Sequence, residues 1–240
     1  MSCPFNVFHF QKFSLTQNTN EFSGWKPQLR KINFVIIACL IVSLVFWLLD
    51  SEILIEYLAF SGVNLLKGRV WTLVTSLFIH GDIVHLVGNM LFLYIFGNTI
   101  EEKMGAAKTI GAFFIGGIIT FPLSLLFYDA TTPLIGASAA IFTLAAIVML
   151  IKPLKLSIFL FLPQGLVAIL YFVYNALAVY SGTEGNVAYI AHIIGFAIGV
   201  PFGLAWSKDW LKNLLISVAL LIVYIVVVSI LIPLILDAIT

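Results

Sequence analysis

Four residues of this chain could carry out acyl transfer if folding brought them together: Ser138, His192, His85 and Asn89. A serine hydroxyl is a weak nucleophile until a neighbouring base accepts its proton. His192 is the histidine beyond residue 85 that could do so. His85 and Asn89 stand four residues apart, so on a helix they share a face. Both can donate hydrogen bonds to the oxyanion that forms when a serine attacks a carbonyl. The sequence around them is small. Ser138 lies in Gly136-Ala137-Ser138-Ala139-Ala140, and His192 precedes Gly195, Gly199 and Gly203 at spacing four. Small residues at that spacing let two membrane helices pack backbone to backbone. Packing the helix of Ser138 on the glycine stripe brings the serine toward His192.

Each residue alone has a plainer explanation. A serine in a membrane helix commonly bonds its own backbone, and a lone histidine there is often a packed helix contact. Gln164, Asn175, Pro122 and Pro163 read as local helix adjustment or interhelical bonding, and His9 has no case for function. The argument for chemistry is therefore an argument about the elements that position the four residues together.

Those elements are membrane helices. Of 240 residues, 62% are hydrophobic and 10% charged, with mean hydropathy +1.12. A soluble domain of this length must keep its exterior wet and cannot use so much apolar surface. Apolar runs at about 32–49, 86–100, 106–128, 134–151, 156–180, 187–206 and 212–236 predict seven spans. The segment 50–84 between the first two is rich in aromatics and reads as a loop sunk into the membrane interface. The first run begins past residue 31 and lacks a small-residue cleavage site, so it reads as a retained span. The net charge of +1 says nothing about partners, and no basic block suggests nucleic acid, so none is expected. Cys3 and Cys39 form neither a disulfide framework nor a metal spacing, and no cofactor is expected.

Basic residues set the orientation. With the N-terminus cytoplasmic, ten of the twelve Lys and Arg fall inside, and only Lys67 and Arg69 fall outside. The second, fourth and sixth spans then run from outside to inside. His85 with Asn89, Ser138 and His192 each occur early in one of them. At ~1.5 Å per residue, four or five residues place all three groups roughly 6–8 Å below the outer end. Ser138 also falls near a helix N-terminus, whose positive end favours a developing alkoxide.

At these residues the sequence resembles the rhomboid family of intramembrane serine proteases. The matching pieces are Trp71 through His80-x-x-x-x-His85-x-x-x-Asn89, then Gly136-Ala137-Ser138, then Ala191-His192-x-x-Gly195-x-x-x-Gly199. They stand in family order on the second, fourth and sixth spans, and the likeness covers about residues 32–206. The resemblance implies an all-α membrane protein with a six-helix catalytic core at 32–206; the cytoplasmic tail at 1–31 and the linker with a seventh transmembrane helix at 207–240 lie outside it, the latter as a peripheral addition. It implies a Ser138–His192 dyad without an aspartate, and an oxyanion hole of His85, Asn89 and the Ser138 N–H. Phe142 takes the place of an aromatic packed on the histidine. Segment 181–186 resembles the family's mobile cap, and the fifth span its lateral gate. The implied substrates are transmembrane proteins cut in or near their membrane segments.

Two departures stand out. The family commonly has glycine after the serine, where this chain has Ala139. It often has arginine after the loop tryptophan, where Thr72 follows Trp71 and Arg69 precedes it. The second leaves open how the first loop is held. A non-catalytic relative that binds membrane clients is the alternative, although such relatives typically lack the serine or the histidine. A small transporter would need an intramembrane charge or broken helices around a central path. Here Asp and Glu cluster at span ends. Short basic loops point to a prokaryotic plasma membrane, with the site opening outward. The oligomeric state is not legible.

Overall fold

The structure, a computed structural model, describes residues 30–49, 51–157, 159–183 and 187–239. Most of the expected tail at 1–31, including Cys3 and His9, lies outside the described residues, as do 184–186 of the expected cap. Seven long helices follow in order among the described residues: α1 Ile32–Leu48, α2 Ile83–Met104, α3 Ala106–Ser124, α4 Ser138–Ile151, α5 Gln164–Tyr180, α6 Tyr189–Trp206 and α7 Trp210–Ile235. By length and composition α2, α3, α6 and α7 can each cross a membrane, while α1, α4 and α5 are shorter apolar helices. The chain is a multi-pass integral membrane protein.

α4 is the axis of the fold. Every residue from Ala139 to Ile151 is buried. Its small face meets α6 along the glycine stripe. A Cβ on Gly195 would run into the Ala139 carbonyl oxygen, one on Gly199 into the Thr143 carbonyl oxygen, and one on Gly203 into the Leu150 side chain. Thr143 closes the contact by donating its hydroxyl to the Gly195 carbonyl at 2.7 Å. On the other side Gly116 of α3 leaves room for that same Thr143 side chain. Between apolar helices in lipid, this close van der Waals packing carries the association that the hydrophobic effect supplies in water.

α4 starts later than its apolar run suggests. Residues 134–137 are not helical: Leu134 pairs with Phe60 of the first loop through two backbone bonds, of 2.7 and 3.2 Å, and Gly136 turns the chain at φ +106°. A helix of 14 residues spans ~21 Å, short of a ~30 Å hydrocarbon core. Ser138 is thus preceded by non-helical chain and not by helical turns. α5 likewise begins only at Gln164, after Pro163, and 156–157 and 159–163 are not helical.

The first loop is held without an arginine after Trp71. The Arg69 guanidinium donates to the Glu56 carbonyl at 2.8 Å and to Asn64 Oδ1 at 2.9 Å, and it lies 4.2 Å over the Tyr57 ring. Trp71 Nε1 donates to the Tyr57 carbonyl at 2.9 Å, and Thr72 Oγ1 to the Arg69 carbonyl at 2.8 Å. At the other end of the bundle, Glu102 pairs with Arg30, Lys152 and Lys155. Glu101 accepts the Lys31 and Ile32 N–H groups at the start of α1, both at 2.8 Å. A carboxylate there satisfies orphan donors and the positive helix end together.

α7 is the outlier, with 6% of its span buried. The sequence credits it with no polar constellation, yet Asn213 Nδ2 donates to the Leu150 carbonyl at 2.7 Å, and Ser217 is fully buried beside Gly165 of α5. Both serve packing.

Gly199→Val should push α4 and α6 apart, since overpacking of this kind costs about 1–3 kcal/mol. Its thermal midpoint in mild detergent is expected to fall below wild type. Gly111→Ala, where an added Cβ meets nothing within 4 Å, should leave the midpoint unchanged or higher.

Candidate active site

α6 brings His192 into the dry interior, where the residue is 7% exposed. Its ring lies flat on Phe142, with centroids 4.5 Å apart and planes 7° apart. Phe142 sits one turn after Ser138 and stacks on Tyr171 of α5 at 4.4 Å. His192 Nδ1 is 2.7 Å from Asn175 Oδ1. Asn175 also donates through Nδ2 to the Tyr171 carbonyl at 2.7 Å. Ser138 is the first residue of α4 and half-buried, and the residue after it touches Gly195, one turn past His192.

The segment entering α4 faces α2. Gly136 has φ of +106°, and a Cβ there would lie 2.7 Å from His85 Nε2 and 3.4 Å from Asn89 Nδ2. Only glycine takes that backbone conformation and leaves that space. Asp82 caps α2 by accepting the His85 N–H at 2.8 Å, which fixes where the histidine leaves the helix. Asn89 is 5% exposed, and its Nδ2 has no hydrogen-bond partner among the described residues. A buried amide donor left open costs free energy unless something enters to accept from it. It lies beside the peptide two residues before Ser138.

His80 has a different place. Its ring is fully buried and meets His85 edge-on at 5.0 Å. Nε2 accepts the Ala137 N–H at 3.4 Å, so hydrogen resides on Nδ1, which bonds Ser43 Oγ at 3.0 Å. Ser43 passes its own hydrogen to the Phe78 carbonyl at 3.1 Å, and Trp47 Nε1 donates to the His80 carbonyl at 2.8 Å. His80 thus ties α1 to the residue preceding the serine.

Above His192, the N–H of Ile190 donates to the Tyr128 hydroxyl at 3.2 Å, which anchors the start of α6. Burial raises the Tyr128 hydroxyl above the ordinary phenol value, so it stays protonated. An open cavity of about 410 Å³ adjoins, lined in part by Val179, Thr183, Val187 and Tyr189.

A hydroxyl at the start of α4, a buried imidazole on α6 and an amide nitrogen without a partner on α2 are the groups these elements present. The family model for the Rhomboid domain matches residues 67–209. The chain belongs to the rhomboid family. Among similar proteins, RHOMBOID-like protein 12, mitochondrial, of Arabidopsis thaliana is 28% identical over 221 residues, 81% of this chain and 64% of the relative. Presenilin-associated rhomboid-like protein A, mitochondrial, of Danio rerio is 31% identical over 159 residues, 64% of this chain and 41% of the relative. Rhomboid protease GlpG of Salmonella choleraesuis is 30% identical over 76 residues, 32% of this chain and 28% of the relative. The chain spans under two thirds of the length of each. The matched rhomboid domain contains Ser138, His192, His85 and Asn89, with α1 before it and α7 after it.

Sequence reasoning placed Asn175 among interhelical bonds without a partner, and it passed over Ser43, Trp47 and Tyr171. Nothing in their spacing points at the histidines they serve. The polar character of Asn175 inside an apolar helix was the only available signal.

Ser43→Ala should leave the His80 ring hydrogen unpartnered in a dry interior, at a cost of about 1–3 kcal/mol. A lowered thermal midpoint checks this, with Ser43→Thr, which keeps the hydroxyl, expected nearer wild type.

Proposed function

We propose that the chain is an intramembrane serine protease that cuts transmembrane proteins in or near their membrane segments. The observation that carries this is the backbone contact of α4 and α6, where Ala139 touches Gly195 between a helix-initial serine and a buried histidine. In the proposed reaction Ser138 Oγ attacks the scissile carbonyl while His192 Nε2 accepts its proton. The carbonyl electron pair moves onto oxygen, and Asn89, His85 and the Ser138 N–H stabilise that oxyanion. His192 then gives the proton to the departing amine. Water, activated by the same histidine, hydrolyses the acyl-enzyme.

The proposed organisation is a catalytic core over 32–206, a preceding tail, and a seventh helix that adds packing. Its topology puts the Glu102 ion-pair cluster on the inner side and Ser138 toward the outer side, following the basic residues. The short basic loops that point to a prokaryotic plasma membrane suit an organellar membrane equally. Two of the three relatives carry mitochondrial names, so the compartment is not part of the proposal.

Ser138→Ala and His192→Ala should each abolish cleavage of a transmembrane substrate, because nucleophile and base act as a unit. A fluorophosphonate probe should label wild type and not Ser138→Ala. Wild-type protein that is folded, unlabelled and inactive would favour the client-binding alternative. Asn89→Ala should keep its thermal transition but lose roughly 10²–10³ in kcat, the usual effect of one oxyanion donor. Turnover of Asn89→Ala at the wild-type rate would remove that residue from the mechanism.

A further inference from the structure

The bond between Asn175 and His192 has a direction that can be worked out from donors and acceptors alone. A backbone carbonyl only accepts, so the side-chain atom of Asn175 that lies 2.7 Å from the Tyr171 oxygen is the amide nitrogen. The carbonyl oxygen of Asn175 therefore faces His192, and it too only accepts. Hydrogen must then reside on His192 Nδ1. In a neutral imidazole that leaves Nε2 bare, as an acceptor. We infer that Asn175 is a positioning residue of the reaction centre, holding His192 in the tautomer whose Nε2 can take the serine proton.

The inference rests on the Ser138–His192 reading and adds a third group to it, carried by α5. Three further observations support it. Asn175 is 1% exposed, so water does not compete for either amide atom. The His192 ring cannot turn freely, because Phe142 lies flat against it and Tyr171 lies flat against Phe142. Tyr171 thus braces the histidine twice, its ring through Phe142 and its carbonyl through Asn175. The orienting group is also uncharged. A carboxylate at this depth carries a heavy desolvation penalty, whereas an amide supplies the same acceptor without it. Base and orienter then form a chain of the kind that activates nucleophiles in unrelated hydrolases, where the third member fixes the tautomer and need not ionise.

The test uses full-length wild type, Asn175→Ala and Asn175→Asp in mild detergent, with thermal transitions to establish folding. Fluorophosphonate labelling and cleavage of a transmembrane substrate report reactivity. Nitrogen-15 NMR of labelled histidine, with His192 assigned by its loss in His192→Ala, reports the tautomer. Wild type is expected to carry hydrogen on Nδ1 of His192. Asn175→Ala should lose on the order of 10² in kcat, with KM within about two-fold, and its His192 signal should become a mixture of tautomers. Asn175→Asp, which as the neutral acid keeps an acceptor toward His192 and a donor toward the Tyr171 carbonyl, should recover to within about ten-fold of wild type. Hydrogen on Nε2 in the wild type overturns the inference even if no variant folds. So does a folded Asn175→Ala that reacts like wild type, or a rate loss with an unchanged tautomer that Asn175→Asp does not recover. Failure of the protease reading looks different: wild type itself would go unlabelled, while the tautomer would still be readable.

Discussion

The contact that everything else depends on is the approach of α4 and α6 along Gly195, Gly199 and Gly203. In lipid there is no gain from hiding apolar side chains from the tails, so helices associate where their surfaces let atoms meet closely. Glycine at every fourth residue of α6 supplies that surface, and the carbonyls of Ala139 and Thr143 fill it. The consequence is geometric. Two backbones in contact fix the side chains one turn away far more tightly than long side chains in contact could. Ser138 and His192 both lie within one turn of the Ala139–Gly195 contact.

The second constraint is that polar groups in a dry interior must find partners. The bundle meets it with short chains of bonds whose directions are forced. Ala137 donates to His80, His80 to Ser43, and Ser43 to the Phe78 carbonyl. Asn175 gives its nitrogen to Tyr171 and offers its oxygen to His192. Each chain ends on a backbone carbonyl that has no further freedom. Among the described residues Thr120 Oγ1, Gln164 Oε1 and Asn89 Nδ2 are buried without a partner, and of these the Asn89 nitrogen lies beside Gly136. An open donor at that place suits the proposed oxyanion role of Asn89, since a ligand oxygen could accept from it.

Much of this was legible in the sequence because polar residues in apolar runs are conspicuous. Ser138, His192, His85 and Asn89 stand out for that reason, and the glycine spacing told which helix faces which. Where helices begin was less legible. Leu134 and Ile135 are as apolar as a helix requires, and only the pairing of Leu134 with Phe60, 74 positions earlier, shows that the segment is not helical. The start of α5 was misjudged similarly, since 156–162 is apolar and Pro163 alone marks the change. The hold on the first loop was open in the sequence because Arg69 works through carbonyls of residues that no motif names. Asn175 was visible as a polar residue but not as a partner of His192, since the bond joins two helices 17 positions apart in sequence.

The His80 relay has one more consequence. It fastens the peptide entering Ser138 to Ser43 and Trp47, and both sit on α1, outside the stretch 67–209 that matches the Rhomboid family model. The motif residues and the side chains that hold them in place therefore lie on different stretches of the chain. A chimera that transplanted only 67–209 into a foreign first helix would carry every signature of the family and still lack the two side chains that hold His80 against Ala137. Recombination between distant relatives is then constrained at α1, a helix whose own sequence shows little beyond apolarity.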